Sequence, residues 1–135
     1  MAETKRGAVL VTGGAKRVGR AFIEALAADG HPCAVHFNTS SDEADALVDA
    51  IRSAGGAACA VGADLGDADA AEGLIDWAAA ELGPITLLVN SASIFEDDRP
   101  DTITADSFNR HMSANLLAPA LLSKAFAAQR SEERR

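Results

Sequence analysis

Tyrosine is absent from the 135 residues, and other aromatic side chains are few, with one Trp and five Phe. No phenol is available as a proton donor, and a core must be filled by aliphatic and small side chains. Basic residues are also scarce: 12 Lys and Arg stand against 20 Asp and Glu, a net charge of −8. That balance excludes an electrostatic footprint for nucleic acid or an anionic membrane surface and leaves small molecules or protein partners. Cysteine occurs twice, as Cys33 and Cys59, without metal-ligand spacing. Both fall in apolar runs, where a free thiol behaves as a small apolar side chain, so no metal is expected. Long apolar runs are missing. Behind the polar Met1 to Arg6, the first such run is too short for a signal-peptide core or a membrane span, and a cytoplasmic location is expected. His31, His36 and His111 do not cluster in sequence and read as surface or packing residues.

What is present is enough for one domain with one core, with apolar residues at 48%. Ala8 to Thr12 reads as a strand, followed by a helix from about Arg17 to Asp29 with Val18, Phe22, Ile23 and Leu26 as its apolar stripe, stopped by Gly30. Cys33 to Phe37 is a second strand. The next helix, capped by Ser41 or Asp42, carries Ala44, Leu47, Val48 and Ile51 at helical spacing and ends at Gly55-Gly56. Ala57 to Gly62 is a third strand. In the helix after it, Asp69 and Glu72 suggest a capping box and Ala71, Leu74, Ile75, Ala78 and Leu82 a buried stripe, before Gly83-Pro84. Ile85 to Val89 is the fourth strand. Thr104 is expected to cap a long helix to about Gln129, interrupted at Pro119, and residues 131–135 to form a charged tail behind a domain of residues 1–130.

Strands alternating with helical patterns call for a parallel sheet, and in such sheets small molecules bind at the carboxyl ends of the strands. Four polar clusters follow strand ends: Thr12 to Gly19, Asn38 to Ser41, Asp64-Leu65 and Asn90 to Ser93. The first, Thr12-Gly13-Gly14-Ala15-Lys16-Arg17-Val18-Gly19, is a strand, a glycine turn and a helix start. Its amides and the positive end of the helix dipole make a seat for phosphate, although a ligand-free turn has the same local sequence. At the end of the second strand, a carboxylate about 20 residues beyond the glycines would favour NAD. Asn38 stands there instead, with Thr39, Ser40 and Ser41 as hydroxyl donors and Arg17 as a guanidinium fork, a corner suited to a phosphate dianion and hence to NADP (NADPH).

The Thr-Gly-x-x-x-[Gly/Arg]-x-Gly spacing resembles the cofactor motif of the short-chain dehydrogenase/reductase family, with Thr12, Gly13, Arg17 and Gly19 on its fixed positions. Arg17, where most members have glycine, resembles the pteridine reductase subgroup. The resemblance runs from about residue 7 to residue 128 and implies a Rossmann-like doubly wound α/β sheet ending after about four strands and a long helix. It also implies cofactor contacts from Thr12, Gly13, Lys16, Arg17, Val18, Gly19, Asn38, Thr39, Ser40, Asp64, Leu65, Asn90, Ser91 and Ala92, and a catalytic helix asparagine at Asn115. Asn90-Ser91-Ala92-Ser93 departs from the family's Asn-Asn-Ala-Gly at two positions, the last of them again subgroup-like.

Family members continue into a fifth strand with a serine and a Tyr-x-x-x-Lys helix, which have no counterpart here. The resemblance therefore implies the amino-terminal, cofactor-binding part of an NADP-dependent reductase of a carbonyl or imine, with a pteridine or dihydrofolate ahead of a 3-oxoacyl thioester as substrate. The competing expectation is a non-catalytic NADP-binding module or pseudoenzyme acting through a partner. The family is homo-oligomeric, and an unpaired fourth strand makes association of this chain the expectation.

Overall fold

A computed structural model of the chain describes residues 5–133. Strands β1 (Ala8–Val11), β2 (Cys33–Phe37), β3 (Ala58–Gly62) and β4 (Ile85–Val89) form one sheet in the order β3-β2-β1-β4. All its pairings are parallel, so every carboxyl strand end lies on the same edge. Helices α1 (Arg17–Ala28) and α2 (Ser41–Ser53) cover one face, and α3 (Ala68–Leu82) and α5 (Ala118–Glu133) cover the other. This is the Rossmann-like doubly wound α/β arrangement.

Alternation along the strands builds two cores from one set of residues. Val9, Val11, Cys33 and Val35 meet Ile23 of α1 and Leu47, Val48 and Ile51 of α2. Ala8, Leu10, Ala34 and Val61 meet Leu74, Ile75 and Ala78 of α3 and Leu122 of α5. Each fully buried aliphatic side chain contributes roughly 1.5–3 kcal/mol. Both cysteines lie in these cores as free thiols, and burial pushes each up to about 11.

The helix facing of α1 differs from expectation. Val18 is 64% exposed and Phe22 44% exposed, whereas Gly19 and Ile23 face inward. The reason is close approach: a Cβ on Gly19 would sit 2.0 Å from the Gly13 carbonyl oxygen. The one residue without a side chain therefore sets the rotation of the helix, against its largest apolar groups.

Helix caps are corrected as well. Ser40, rather than Ser41 or Asp42, precedes α2, and its side chain makes no cap hydrogen bond. Asp67 replaces the expected Asp69–Glu72 box on α3, accepting from the Asp69 and Ala70 amides. Thr104 caps α4 (Ala105–Met112) as expected, in a reciprocal box with Ser107.

The long terminal helix does not break at Pro119. It widens one turn earlier into a π-helical segment, Ser113–Leu117, whose exit is marked by the Ala118 amide donating to the Ser113 carbonyl. Proline has no N–H and its ring crowds the carbonyl four residues back, and the wider turn accommodates both. The helix then runs through Glu133, so Ser131 to Glu133 of the expected tail are helical. Arg134 and Arg135, like Met1 to Thr4, lie outside the described residues. Gln129 ties this helix to β4: its amide accepts from Ile85 N–H at 2.8 Å and donates to Ile85 O at 2.9 Å.

Candidate functional site

Four strand-end clusters meet at the carboxyl edge around a cavity of about 370 Å³. Thr12, 1% exposed, lies beneath it. Its hydroxyl oxygen accepts from the Ser91 and Ala92 amides at 3.0 Å each, joining the exit of β1 to that of β4. Gly13 takes φ +61°, and a Cβ there would lie 3.0 Å from Ala92 Cα, so only glycine suits this turn. Gly13, Lys16, Arg17, Val18 and Gly19 form one wall.

Arg17 is the one non-glycine residue with positive φ among the described residues, at +53°. The left-handed region costs an ordinary side chain roughly 1–2 kcal/mol, which explains why glycine suits this position and makes arginine there a strained choice. Lys16 precedes α1 in extended backbone and makes no side-chain cap bond, so the first turn of α1 opens toward the cavity without a cap. Lys16 Nζ lies 3.5 Å from the Glu43 carboxylate, and that exposed carboxyl sits below its usual range, chiefly through its own backbone N–H and then Lys16.

On the opposite wall, Asn38 follows β2 and Asp64 and Leu65 follow β3. The Asp64 carboxylate accepts from Gly66 N–H at 2.8 Å, which fixes the turn. Ser91 and Ala92 close the β4 side. Thr39, Ser40 and Asn90 stand at the same strand ends but outside the cavity wall.

His36, expected to be a surface or packing residue, is a buried one with a hydrogen-bond partner at each ring nitrogen. It lies 2% exposed at the end of β2 and lines the cavity. Its Nδ1 accepts from Gly13 N–H at 2.9 Å, and its Nε2 lies 2.8 Å from Ala63 O. An amide can only donate and a carbonyl only accept, so the ring is neutral with its proton on Nε2. Burial holds its pKa below the ordinary histidine value. The signal available in the sequence was a polar ring inside an otherwise apolar strand, where burial demands partners.

Asn115 lies in the π-helical segment, next to Ala114 of the cavity lining but outside the lining itself. Its amide is engaged twice with one residue, accepting from Ile94 N–H at 2.8 Å and donating to Ile94 O at 2.9 Å. Two residues on, His111 Nε2 accepts from Glu96 N–H at 3.0 Å. Arg110 binds the Glu96 carboxylate at 2.7 Å and, through that hydrogen bond, holds it below the usual carboxylate range. Phe95, 87% exposed, is thus held outward between two anchored residues. Among the described residues, no group of three or more His, Cys, Asp or Glu side chains converges as a metal site, and no helix is long and apolar enough to cross a membrane.

The short chain dehydrogenase family model matches residues 7–135. An uncharacterised oxidoreductase of Methylorubrum extorquens is 35% identical over 125 residues, covering 93% of this chain and 50% of that protein. The alternative dihydrofolate reductase 1 FolM of Brucella suis, solved in complex with NADP, superposes with a TM-score of 0.84 at 41% identity, covering 90% of this chain and 50% of that one. A short chain dehydrogenase of Burkholderia cenocepacia in complex with NADP gives 0.86 at 35% identity, covering 92% and 50%. The chain thus spans about half the length of these relatives.

Proposed function

Because the chain belongs to the short-chain dehydrogenase family, we propose that its cavity is the NADP-binding half of a reductase acting on a carbonyl or imine. The observation that carries this reading is Arg17, kept at φ +53° beside a β2 exit that presents Asn38 in place of a carboxylate. The residues present fit the group by their donors: the first turn of α1 has no side-chain cap, and Lys16, Arg17 and Asn38 line the same cavity. NADPH held there would supply the hydride. The uncapped first turn of α1 holds the diphosphate, and Arg17 with Lys16, Asn38, Thr39 and Ser40 holds the adenosine phosphate. Asp64 and Leu65 serve the adenine; Asn90, Ser91 and Ala92 serve the nicotinamide-side ribose. Asn115 organises the proton path, its own side chain being committed to Ile94. NADP in the Brucella and Burkholderia complexes supports the cofactor.

NADPH is therefore expected to bind more tightly than NADH. Arg17→Ala should weaken NADPH by on the order of 1.5–3 kcal/mol, the worth of charge-assisted hydrogen bonds. Arg17→Gly should weaken it equally while raising fold stability by about 1 kcal/mol, because glycine takes positive φ without strain. Fluorescence titration and thermal melts read the two effects separately. Equal affinity for both cofactors, or a glycine variant that melts lower, would contradict the assignment.

For the substrate, the pteridine-reductase-like reading rests on Arg17, on Ser93 in the last place of its segment, and on Phe95, an outward aromatic suited to stacking on a planar ring. The dihydrofolate reductase name of the Brucella relative points the same way. A homo-oligomeric state is part of the proposal. Strand β4 has one partner among the described residues, and Phe108, Met112 and Leu116 are exposed on the α4 and π-helical surface. Leu122 and Phe126, farther along the chain, pack in the core with α3. Size-exclusion chromatography is expected to show concentration-dependent association; a clean monomer at all concentrations would count against it.

A further inference from the structure

His36 is tied to the glycine turn twice, its ring accepting from Gly13 N–H and its carbonyl from Gly14 N–H at 2.9 Å. The same ring reaches the β3 exit at Ala63 O. One side chain thus sets the spacing of three strand ends around the cavity. The geometry points to His36 as a positioning residue that holds the glycine turn in its nucleotide-accepting shape only while its imidazole is neutral, so that acid loosens the turn and nucleotide binding together. This rests on the NADP reading above for the identity of the ligand, but not for the latch itself.

The physical reason is donor arithmetic. A second proton can go only on Nδ1, where it would confront the Gly13 N–H, donor against donor, in a space nearly closed to water. Gly13 cannot simply rotate away, because Ala92 lies against it. The charged neighbours on the cavity wall are Lys16, Arg17 and Asp64, with Glu43 paired to Lys16. On the strand beside it, Cys59 is a buried neutral thiol, and the buried face of α3 offers only Ala71, Leu74, Ile75 and Ala78. Among the described residues no carboxylate is buried, so none stands ready to stabilise an imidazolium. The sign follows from the lowered folded-state value. The stability contributed by neutral His36 is complete above the unfolded value of 6.5 and is lost as pH falls through the folded one.

The test separates the two ring nitrogens. In His36→Asn the amide oxygen takes the place of Nδ1 and keeps the Gly13 bond without titrating; in His36→Gln the amide nitrogen takes the place of Nε2 and keeps only the Ala63 bond. NADP⁺ affinity is measured by calorimetry from pH 8 to pH 5 for all three proteins. The ligand phosphate titrates alike in each, so ratios isolate the histidine. At pH 8 the Asn variant should bind within about threefold of the unmodified chain and the Gln variant about tenfold more weakly. Toward pH 5 the unmodified chain should lose about tenfold relative to Asn. Equal affinities for Asn and Gln, or an Asn profile parallel to the unmodified one, would overturn the proposal.

Ring ¹⁵N NMR of the unmodified chain without ligand gives a readout that needs no variant. The expected result is an Nε2–H tautomer at pH 8 and a Gly13 amide that shifts with the His36 midpoint, while the Thr12-bound Ser91 and Ala92 amides do not follow. An Nδ1–H tautomer, or a Gly13 amide indifferent to that titration, would refute the latch. NADP⁺ binding by none of the three proteins at any pH, with the NMR signature intact, would support the latch and refute the nucleotide reading.

Discussion

Gly19→Ala is expected to destabilise the chain by about 3 kcal/mol, lowering its melting temperature by on the order of 10 °C and abolishing nucleotide binding. The added Cβ would meet Gly13 O at 2.0 Å, Gly13 C at 2.7 Å and Gly14 Cα at 3.1 Å. All three are backbone atoms of the turn, so no rotamer change relieves the clash. Helix α1 must back away from the sheet, which lifts Ile23 from its core and opens the phosphate seat. Gly73, inside α3, provides the control, because nothing lies within 4 Å of a Cβ there. Gly73→Ala should stabilise by roughly 0.5–1 kcal/mol, the helix-propensity gain of alanine over glycine. Thermal melts that move the two variants in the same direction would show that the turn and α1 are not in the contact described.

NADPH oxidation by the 135-residue chain is expected to stay at background with dihydropteridine, dihydrofolate and acetoacetyl thioester, even where the cofactor binds. Hydride delivery to a carbonyl or imine leaves a developing anion, and a positioned general acid typically contributes ~10²–10⁴-fold. The chain has no tyrosine. Ser91 and Ser93 line the cavity, but the neutral His36 on the same lining is committed through both ring nitrogens to Gly13 and Ala63, and Lys16 belongs to the phosphate turn, paired with Glu43. Lys124 lies on α5, more than two helical turns beyond Asn115. A version continued through the Tyr-x-x-x-Lys segment of a relative should regain turnover. Turnover by the unextended chain that vanishes in Asn115→Ala would defeat this expectation, since chemistry would then proceed without the phenol. A chain whose gene encodes no such segment downstream in any frame would favour the non-catalytic NADP-binding module.

Much of the fold and part of the site were legible without coordinates. The strands, the alternation of elements and the buried faces of α2 and α3 follow from periodicity, because the regular backbone geometry repeats every 2.0 or 3.6 residues and the apolar residues repeat with it. The polar clusters at four strand ends followed from the parallel topology, and the glycine turn from its own spacing. Periodicity describes a stripe, but not how closely the helix that bears it approaches the sheet. Val18 and Phe22 were misplaced for that reason: the contact of Gly19 with Gly13 rotates α1, and a missing side chain leaves no mark in a hydrophobic pattern. Likewise, the partners of polar side chains depend on chain segments far apart in sequence. Thr12 and Ser91 are 79 positions apart, and His36 and Gly13 are 23 apart. Local sequence determined which residues carry donors and acceptors, while the tertiary structure alone decided that a histidine tautomer and a threonine hydroxyl would join the strand ends. A buried hydrogen bond is a property of two positions brought within 3 Å, and the sequence around either one does not encode that distance.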